Sequence, residues 1–133
     1  MNGYITNIED RALSNENFRE VLYTDQRIQL VVMSLLPSED IGEEVHDLDQ
    51  FIRIEKGEGK AVLDGVERMI SDGSAIVIPK GTRHNIINTS TTNALKLYTI
   101  YAPPDHKDGL VNATKADAIA NDIPFDGVTS ENV

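Results

Sequence analysis

The stretch "GSAIVIPKGTRHNIIN", residues 73 to 88, indicates the architecture of this chain most directly. A turn glycine leads into the apolar run "AIVIP", and the pair Pro79 and Gly81 then reverses the chain. His84 begins a second apolar run, and Asn88 follows four residues later. Because Pro and Gly favour tight turns while Ile and Val favour strands, the stretch predicts a strand, a turn and a returning strand.

Short apolar runs of the same kind lie on both sides of this stretch. Turn signals separate them, and Asp64-Gly65 among these is typical of a two-residue hairpin with positive φ at both positions. Many short strands without a helical repeat predict an all-β fold, an antiparallel sandwich or barrel. The predicted strands are EVLYT (20–24), IQLVVMSLL (28–36), FIRIEK (51–56), KAVLD (60–64), ERMI (67–70), AIVIP (75–79), HNIINT (84–89) and ALKLYTIYA (94–102).

The two ends of the chain differ from this pattern. The first 19 residues alternate only weakly and predict an arm with at most a short strand. In "ATKADAIAN", residues 113 to 121, Ala and Ile recur at helical spacing, and Thr114 with Asp117 three residues later is typical of a helix start. The expected division is an N-terminal arm, a barrel and a tail with one short helix, over residues 1–19, 20–104 and 105–133.

The spacing G-x5-P-x-G-x2-H-x3-N within residues 73–88 resembles the second conserved motif of the cupin superfamily. That family's first motif, G-x5-H-x-H-x3/4-E-x6-G, is similar to an upstream segment in altered form. Aligned on Gly57, the segment has Gln50 at the family's glutamate, His46 at its second histidine and Glu44 at its first histidine. The leading glycine of the motif is missing. The resemblance implies a double-stranded β-helix, the cupin jelly-roll barrel, closed by a short C-terminal helix.

The resemblance also implies a metal site, in which Glu44, His46, Gln50 and His84 point into the barrel. Two imidazoles, one carboxylate and one amide oxygen suit a divalent ion such as Zn, Fe, Mn, Ni or Co. The chain has no cysteine, so a thiolate site is excluded. Because an amide oxygen is a neutral and weaker donor than a carboxylate, Gln50 would bind the ion loosely and leave positions for water or substrate.

Each of these residues also has a simpler interpretation. His46 and Glu44 lie in the acidic stretch "IGEEVHDLDQ" and could be solvated there, and Asp49 is a rival carboxylate ligand if that turn is irregular. Gln50 could donate hydrogen bonds in the pocket. His84 could cap the end of a strand.

Two further polar residues have structural expectations. Asn88 is expected to bond the backbone at the barrel mouth. His106, in "PPDHKDG", is interpreted as a loop residue, with a place at the pocket rim as the alternative.

Composition limits the classes of partner. The chain carries 12 Lys plus Arg and 22 Asp plus Glu, a formal net charge of -10 without a basic cluster, so no nucleic-acid partner is expected. The longest apolar stretch, residues 30–36, is far shorter than the roughly 20 residues of a membrane helix, and the N-terminus lacks the pattern of a leader peptide. We expect no membrane partner and a cytoplasmic protein.

Three functions are compatible with such a site. The first is a metal-dependent isomerase or epimerase acting on a sugar or another small polar metabolite, since the same types of ligand occur in the phosphomannose isomerases, which are cupin-fold enzymes. Lys80 and Arg83 are the nearby cations for a phosphate. The second is a non-haem metal dioxygenase with open coordination positions. The third is a non-catalytic module whose pocket, lined by Ile52, Ile54 and Ile86, binds a small ligand.

The expected oligomer is a homodimer. Small barrels of the family that this chain resembles usually pair through outer strands. The apolar run Ile28–Leu36 is expected to provide such an edge, because an uncovered apolar edge invites pairing.

Overall fold

A computed structural model describes residues 1–131 of the chain. Each of the eight predicted apolar runs forms a strand, and a two-residue strand and two helices are added to them. The elements are α1 (Ile8–Ser14), β1 (Arg19–Thr24), β2 (Gln29–Leu35), β3 (Asp49–Lys56), β4 (Glu58–Leu63), β5 (Val66–Ser71), β6 (Ala75–Ile78), β7 (His84–Asn88), β8 (Leu95–Ala102), β9 (Val111–Asn112) and α2 (Lys115–Ala120).

The strands form two antiparallel sheets around one apolar core. The larger sheet has the order β6-β3-β8-β2-β1-β9 and the smaller the order β5-β4-β7. Both sheets contribute to the core, with Ile52 and Leu97 from the larger and Ala61 and Ile86 from the smaller. The predicted all-β double-stranded β-helix with a short C-terminal helix is therefore confirmed. No helix among the described residues is long and apolar enough to cross a membrane.

Strand register brings polar side chains together at one end of the barrel. One row of opposite residues crosses four strands of the larger sheet. It runs from Gln29 of β2 through Tyr101 of β8 and Gln50 of β3 to Ile78 of β6. All four are buried. Since directly opposite residues point to the same face of a sheet, this row lies on the core side. Three polar side chains thus line one level of an otherwise apolar interior.

The interpretation of Ile28–Leu36 as a pairing edge is wrong. Strand β2 lies inside the larger sheet, hydrogen-bonded to β1 on one side and to β8 on the other. Residues 31–35 of this strand are all buried, because the core covers one face of the strand and α1 packs against the other. A continuous apolar run is typical of a strand that is buried on both faces, which the sequence does not distinguish from an apolar edge.

The expectation of an arm with at most a short strand over residues 1–19 is also incorrect. Residues 8–14 form helix α1, and the Asn7 side chain caps it by accepting a hydrogen bond from Asp10 N at 3.1 Å. The helix buries only Ala12. So short a helix has little stability of its own and depends on packing against the sheet, which a local sequence pattern does not report.

Two turns and the second helix agree with their predicted chemistry. Asp64 and Gly65 have φ of 46° and 81°, as the hairpin requires. Gly57, the residue that anchors the first motif, has φ of 119°, and a Cβ there would lie 2.9 Å from the carbonyl oxygen of Ala94, so only glycine fits. Thr114 caps α2 by accepting a hydrogen bond from Asp117 N at 3.1 Å.

Candidate metal centre

Backbone pairing brings the two motifs together at the barrel mouth. Glu44 and His84 exchange both backbone hydrogen bonds at 2.9 Å, and Gly81 N donates to the carbonyl of His46 at 2.9 Å. The turn that precedes β7 therefore holds the extended segment of Glu44 and His46 in place. The imidazole centroids of His46 and His84 are 5.2 Å apart. Residues separated by about forty positions in sequence thus become neighbours.

Glu44 and His46 form a close ion pair in this segment. Glu44 Oε2 lies 2.7 Å from His46 Nε2. The hydrogen bond to Glu44 raises the pKa of His46 above its usual value. Burial opposes ionisation of Glu44, but the hydrogen bond and positive charge of His46 outweigh it, and the pKa of Glu44 is lowered. A metal ion at Nε2 would replace the proton of this hydrogen bond, because coordination uses the lone pair of the nitrogen.

Asp105 completes a compact group of ligand atoms. Its Oδ2 lies 4.0 Å from His46 Nδ1 and 3.4 Å from His106 Nε2. One ligand atom each from Glu44, His46 and Asp105 lies within 4.8 Å of the others. Burial raises the pKa of the Asp105 carboxyl above its usual value. These three side chains are the carboxylate and imidazole donors that could hold a divalent ion.

His84 and Gln50 each have one side-chain atom that could bind a metal ion. His84 Nδ1 lies 2.9 Å from the carbonyl of Thr82, which can only accept, so in the neutral imidazole Nε2 is the nitrogen left to bind a metal ion. Gln50 Nε2 donates to Thr99 Oγ1 at 3.0 Å, while that hydroxyl donates to the carbonyl of Phe51. Buried Gln50 Oε1 has no donor among the described residues. Both atoms are available to a ligand, although Oε1 would equally accept a water, and His84 does not belong to the compact group of Glu44, His46 and Asp105.

Gln29 holds the loop that carries Asp105 and His106. Its Oε1 accepts hydrogen bonds from Asp105 N at 3.1 Å and His106 N at 3.0 Å. Its Nε2 donates to the carbonyl of His106 at 2.7 Å and to Thr24 Oγ1 at 3.0 Å. All four hydrogen-bonding positions of the amide are used. Gln29 thus positions the carboxylate of Asp105 beside His46.

His106 is buried against this site. Its side chain lies against Tyr101, with Nε2 at 3.4 Å from the tyrosine hydroxyl, and the residue is only 3% exposed. Burial, with the charges of Arg19 and His46, lowers the pKa of His106 to about 3. The imidazole is therefore neutral at physiological pH. Of the two interpretations of His106, the structure supports the place at the pocket.

Glu44, His46, Asp105 and His106 line a cavity of about 450 Å³, whereas Gln50 and His84 are not among its lining residues. The C-terminal tail forms one wall, since Ala118 of α2 belongs to the core cluster and Pro124 also faces the cavity. The lining residues are Phe18, Arg19, Ile41, Glu44, His46, Asp105, His106, Lys115, Ala118, Ile119, Asp122 and Pro124. A cavity of this size suits a small metabolite.

Comparison with known proteins agrees with this architecture. A family model described as "Cupin domain" matches residues 31–101, more than half of the chain. The chain belongs to the cupin family. Two curated relatives cover most of this cupin, the uncharacterized protein YrkC of Bacillus subtilis and the uncharacterized protein L612 of Acanthamoeba polyphaga mimivirus.

YrkC is 47% identical over 124 residues, which are 88% of this cupin and 66% of YrkC. L612 is 46% identical over 116 residues, which are 84% of this cupin and 72% of L612. The chain therefore spans about two thirds of the length of these relatives.

Solved structures show the same fold. The crystal structure of BH2720 from Bacillus halodurans has a TM-score of 0.86 at 43% identity, covering 89% of this cupin and 94% of that chain. KdgF from Halomonas sp. has a TM-score of 0.59 at 20% identity, covering 64% and 76% of the two chains. At that lower identity the likeness concerns the fold alone.

Several polar residues named from the sequence lie outside the cavity. Asp49 is exposed and accepts a hydrogen bond from Lys80 N at 2.9 Å. The Lys80 ammonium pairs with Asp47 at 2.9 Å, and the Arg83 guanidinium lies 3.7 Å from Glu43. Neither cation is therefore placed to bind a ligand in the cavity of this cupin.

Asn88 has the backbone role expected of it. Its Nδ2 donates to the carbonyls of Leu35, Leu36 and Asn93, and its Oδ1 accepts from Ser90 N. The side chain joins the end of β2 to the loop before β8. The prediction for Asn88 is confirmed.

Three residues at the site of this cupin were not identified from the sequence. Arg19 and Gln29 lie two residues before the buried Val21 and Val31 on β1 and β2, so each faces the core as that valine does. A polar residue at an alternating apolar position could therefore have indicated a functional role. Asp105 carries a weaker signal. It follows a Pro-Pro pair after a strand, which predicts a turn but not the direction of that turn.

Proposed function

We propose that this cupin is a metal-dependent isomerase or epimerase acting on a sugar or another small polar metabolite. The observation that carries the proposal is the convergence of Glu44, His46 and Asp105 on one cavity, with ligand atoms within 4.8 Å of one another. The proposed ligands of the ion, Zn, Fe, Mn, Ni or Co, are Glu44, His46, Gln50 and His84. The contact of His84 Nδ1 with the Thr82 carbonyl, which leaves Nε2 for an ion, and the Oε1 of Gln50, which has no partner among the described residues, support this set.

Asp105 is the proposed proton-transfer group. A divalent ion bound here would polarise the carbonyl and neighbouring hydroxyl of a substrate. Burial raises the pKa of Asp105 towards the range in which a carboxylate both takes and returns a proton. Gln29 holds the backbone of Asp105, so the carboxylate stays beside the metal ligands. The neutral imidazole of His106 and the Tyr101 hydroxyl, 3.4 Å apart, form the polar wall next to it.

A homodimer remains part of the proposal, with a different interface from the one first expected. Edge strands β5 and β6 carry exposed Val66, Met69 and Val77, which are 53%, 73% and 68% exposed. Exposed apolar side chains on neighbouring edge strands favour burial against a partner. We propose that two copies pair through this edge.

Metal analysis of the purified protein tests the site. We expect about one equivalent of a divalent ion in the wild type and its loss in the double variant His46→Ala/His84→Ala. Asp105→Asn is expected to keep the ion, because its proposed role is proton transfer. Loss of the ion in this variant would instead make Asp105 a ligand. Absence of metal from the wild type, even after supplementation, would contradict the metal centre.

Deuterium exchange tests the reaction. We expect solvent deuterium to enter aldoses or ketoses in the presence of the metal-loaded wild type, and Asp105→Asn to abolish this exchange while the ion is retained. Oxygen uptake with Fe(II) and a panel of phenols and thiols would favour the dioxygenase. Silence in both assays, together with ligand-induced thermal shifts, would favour the non-catalytic module.

A further inference from the structure

Arg19, at the wall of the cavity, is a buried cation without a counter-ion among the residues that the structure describes. Arg19 is the first residue of β1 and lies opposite the core residue Met33 of the neighbouring strand β2. Only 7% of the residue is exposed. Its Nε has no hydrogen-bond partner, and in the described part of the chain no carboxylate oxygen lies within 4.0 Å of its guanidinium. The packing contact of the group is with the ring of Phe18, 5.5 Å from Cζ to the centroid.

Such an arrangement is costly for a protein by itself. A buried charge is unfavourable unless it is paired and hydrogen-bonded. Arginine does not escape this cost by losing its proton, because its pKa is too high. The planar guanidinium offers several donors in one plane, which match the two oxygens of a carboxylate or a phosphate. An oxyanion beside Arg19 would supply both a counter-charge and acceptors for these donors.

The neighbouring carboxylates do not take this role. Three carboxylates line the same cavity, Glu44, Asp105 and Asp122, and none forms an ion pair with Arg19 within 4.0 Å among the described residues; those of Glu44 and Asp105 face His46 at 2.7 and 4.0 Å. The lysine of the cavity, Lys115, already donates to Asp40, and the imidazole of His46 is paired with Glu44. Among the described residues, Arg19 is therefore the basic side chain of this cavity that has no acidic partner.

We propose that Arg19 binds an oxyanion, the carboxylate or phosphate group of the small molecule that the cavity holds. The proposal rests on the proposed function, in that it assigns the substrate class of the same cavity: small anionic metabolites. It also assigns an orientation, since the oxyanion lies at Arg19 while the reacting end of the molecule lies at Glu44, His46 and Asp105. The chain as a whole carries a net charge of -10, which repels anions, so anion binding reports a local site.

Binding of three matched probes tests the proposal. D-glucuronate, D-glucose 6-phosphate and D-glucose share one ring and differ in carrying a carboxylate, a phosphate or no charge. Titration calorimetry on the full-length protein is expected to show binding of one or both anions and at least tenfold weaker binding of glucose, because charge-assisted hydrogen bonds are made only to the anions. The preferred anion distinguishes the carboxylate from the phosphate.

Variants of Arg19 complete the test. Arg19→Met is expected to weaken binding of the anions at least tenfold without changing that of glucose, and Arg19→Lys to have an intermediate effect, because the charge stays and the planar fork is lost. Arg27→Met, in the exposed turn before β2, is the matched control and is expected to bind as the wild type does. If Arg19→Met does not fold, as judged by circular dichroism, Arg19→Lys carries the comparison.

Three results would overturn the proposal: no binding of either anion to the wild type, equal binding of glucose, or unchanged anion binding in both Arg19 variants. Metal content is measured on the same samples and is expected to be unchanged in Arg19→Met. Anion binding in a protein that holds no metal would contradict the metal centre alone. Metal without anion binding would contradict the role of Arg19 alone.

Discussion

Replacement of Gln29 by Met should loosen the loop that carries Asp105 and His106. The Gln29 amide makes four hydrogen bonds, three of them to backbone groups of these two residues and one to Thr24. The residue is fully buried. Methionine is similar in length and flexible, so the substitution removes the polar contacts while leaving the volume nearly filled.

The magnitude follows from the partners that remain. Two backbone N–H groups and one carbonyl at residues 105 and 106 would lose their acceptor or donor. Each buried group left without a partner costs about 1–3 kcal/mol. Opening of the loop to water limits the total, so we expect a loss of about 3 kcal/mol in the free energy of unfolding. This corresponds to roughly a hundredfold change in the unfolding equilibrium.

Two measurements check this expectation. Chemical denaturation gives the free energy of unfolding, and hydrogen exchange gives the protection of the amides of Asp105 and His106, which should fall far more than that of β8. Gln26→Met is the matched control. The Gln26 amide donates to the carbonyl of Gly127 on the surface, so its loss should change stability by less than about 0.5 kcal/mol. Equal stability of the two variants, with unchanged exchange at residues 105 and 106, would refute the reasoning.

Two further expectations concern the ion pair at Asp40 and the oligomeric state. Hydrogen bonds from Lys115 and Asn85 lower the pKa of Asp40 in the folded state. Its stabilising contribution is therefore fully present above the unfolded pKa of about 4 and is lost as the pH falls through the lower folded pKa. Asp40→Asn should flatten the fall in melting temperature over that acidic range, whereas Glu58→Gln on β4 should follow the wild type; identical acid profiles for all three proteins would contradict this. Light scattering should give twice the chain mass of 14.7 kDa, and Met69→Glu should shift it towards the monomer; a monomeric wild type at micromolar concentration would contradict the dimer.

Local sequence patterns predicted most of the fold. Apolar runs and turn residues predicted strands β1 to β8, and Thr114 with Asp117 predicted the start of α2. These features are encoded within a few residues, by strand propensity, turn chemistry and capping. Helix α1 and the burial of β2 on both faces were missed, because each depends on the packing of the helix against the sheet.

The candidate site divides in the same way. The resemblance to the cupin motifs implied Glu44, His46, Gln50 and His84 as ligands, and that set stays a prediction. Asp105, His106 and Arg19 reach the same cavity from a loop and from a strand far away in sequence.

The sequence by itself thus determined the strand pattern and the turns, because alternation and turn chemistry act over short distances along the chain. Only the tertiary structure decided which distant groups meet at the cavity. Gln29 and Arg19 illustrate the reason. One is a buried amide that makes three of its four hydrogen bonds to groups more than seventy residues away, and the other is a buried cation whose missing partner becomes evident only when the whole barrel surrounds it.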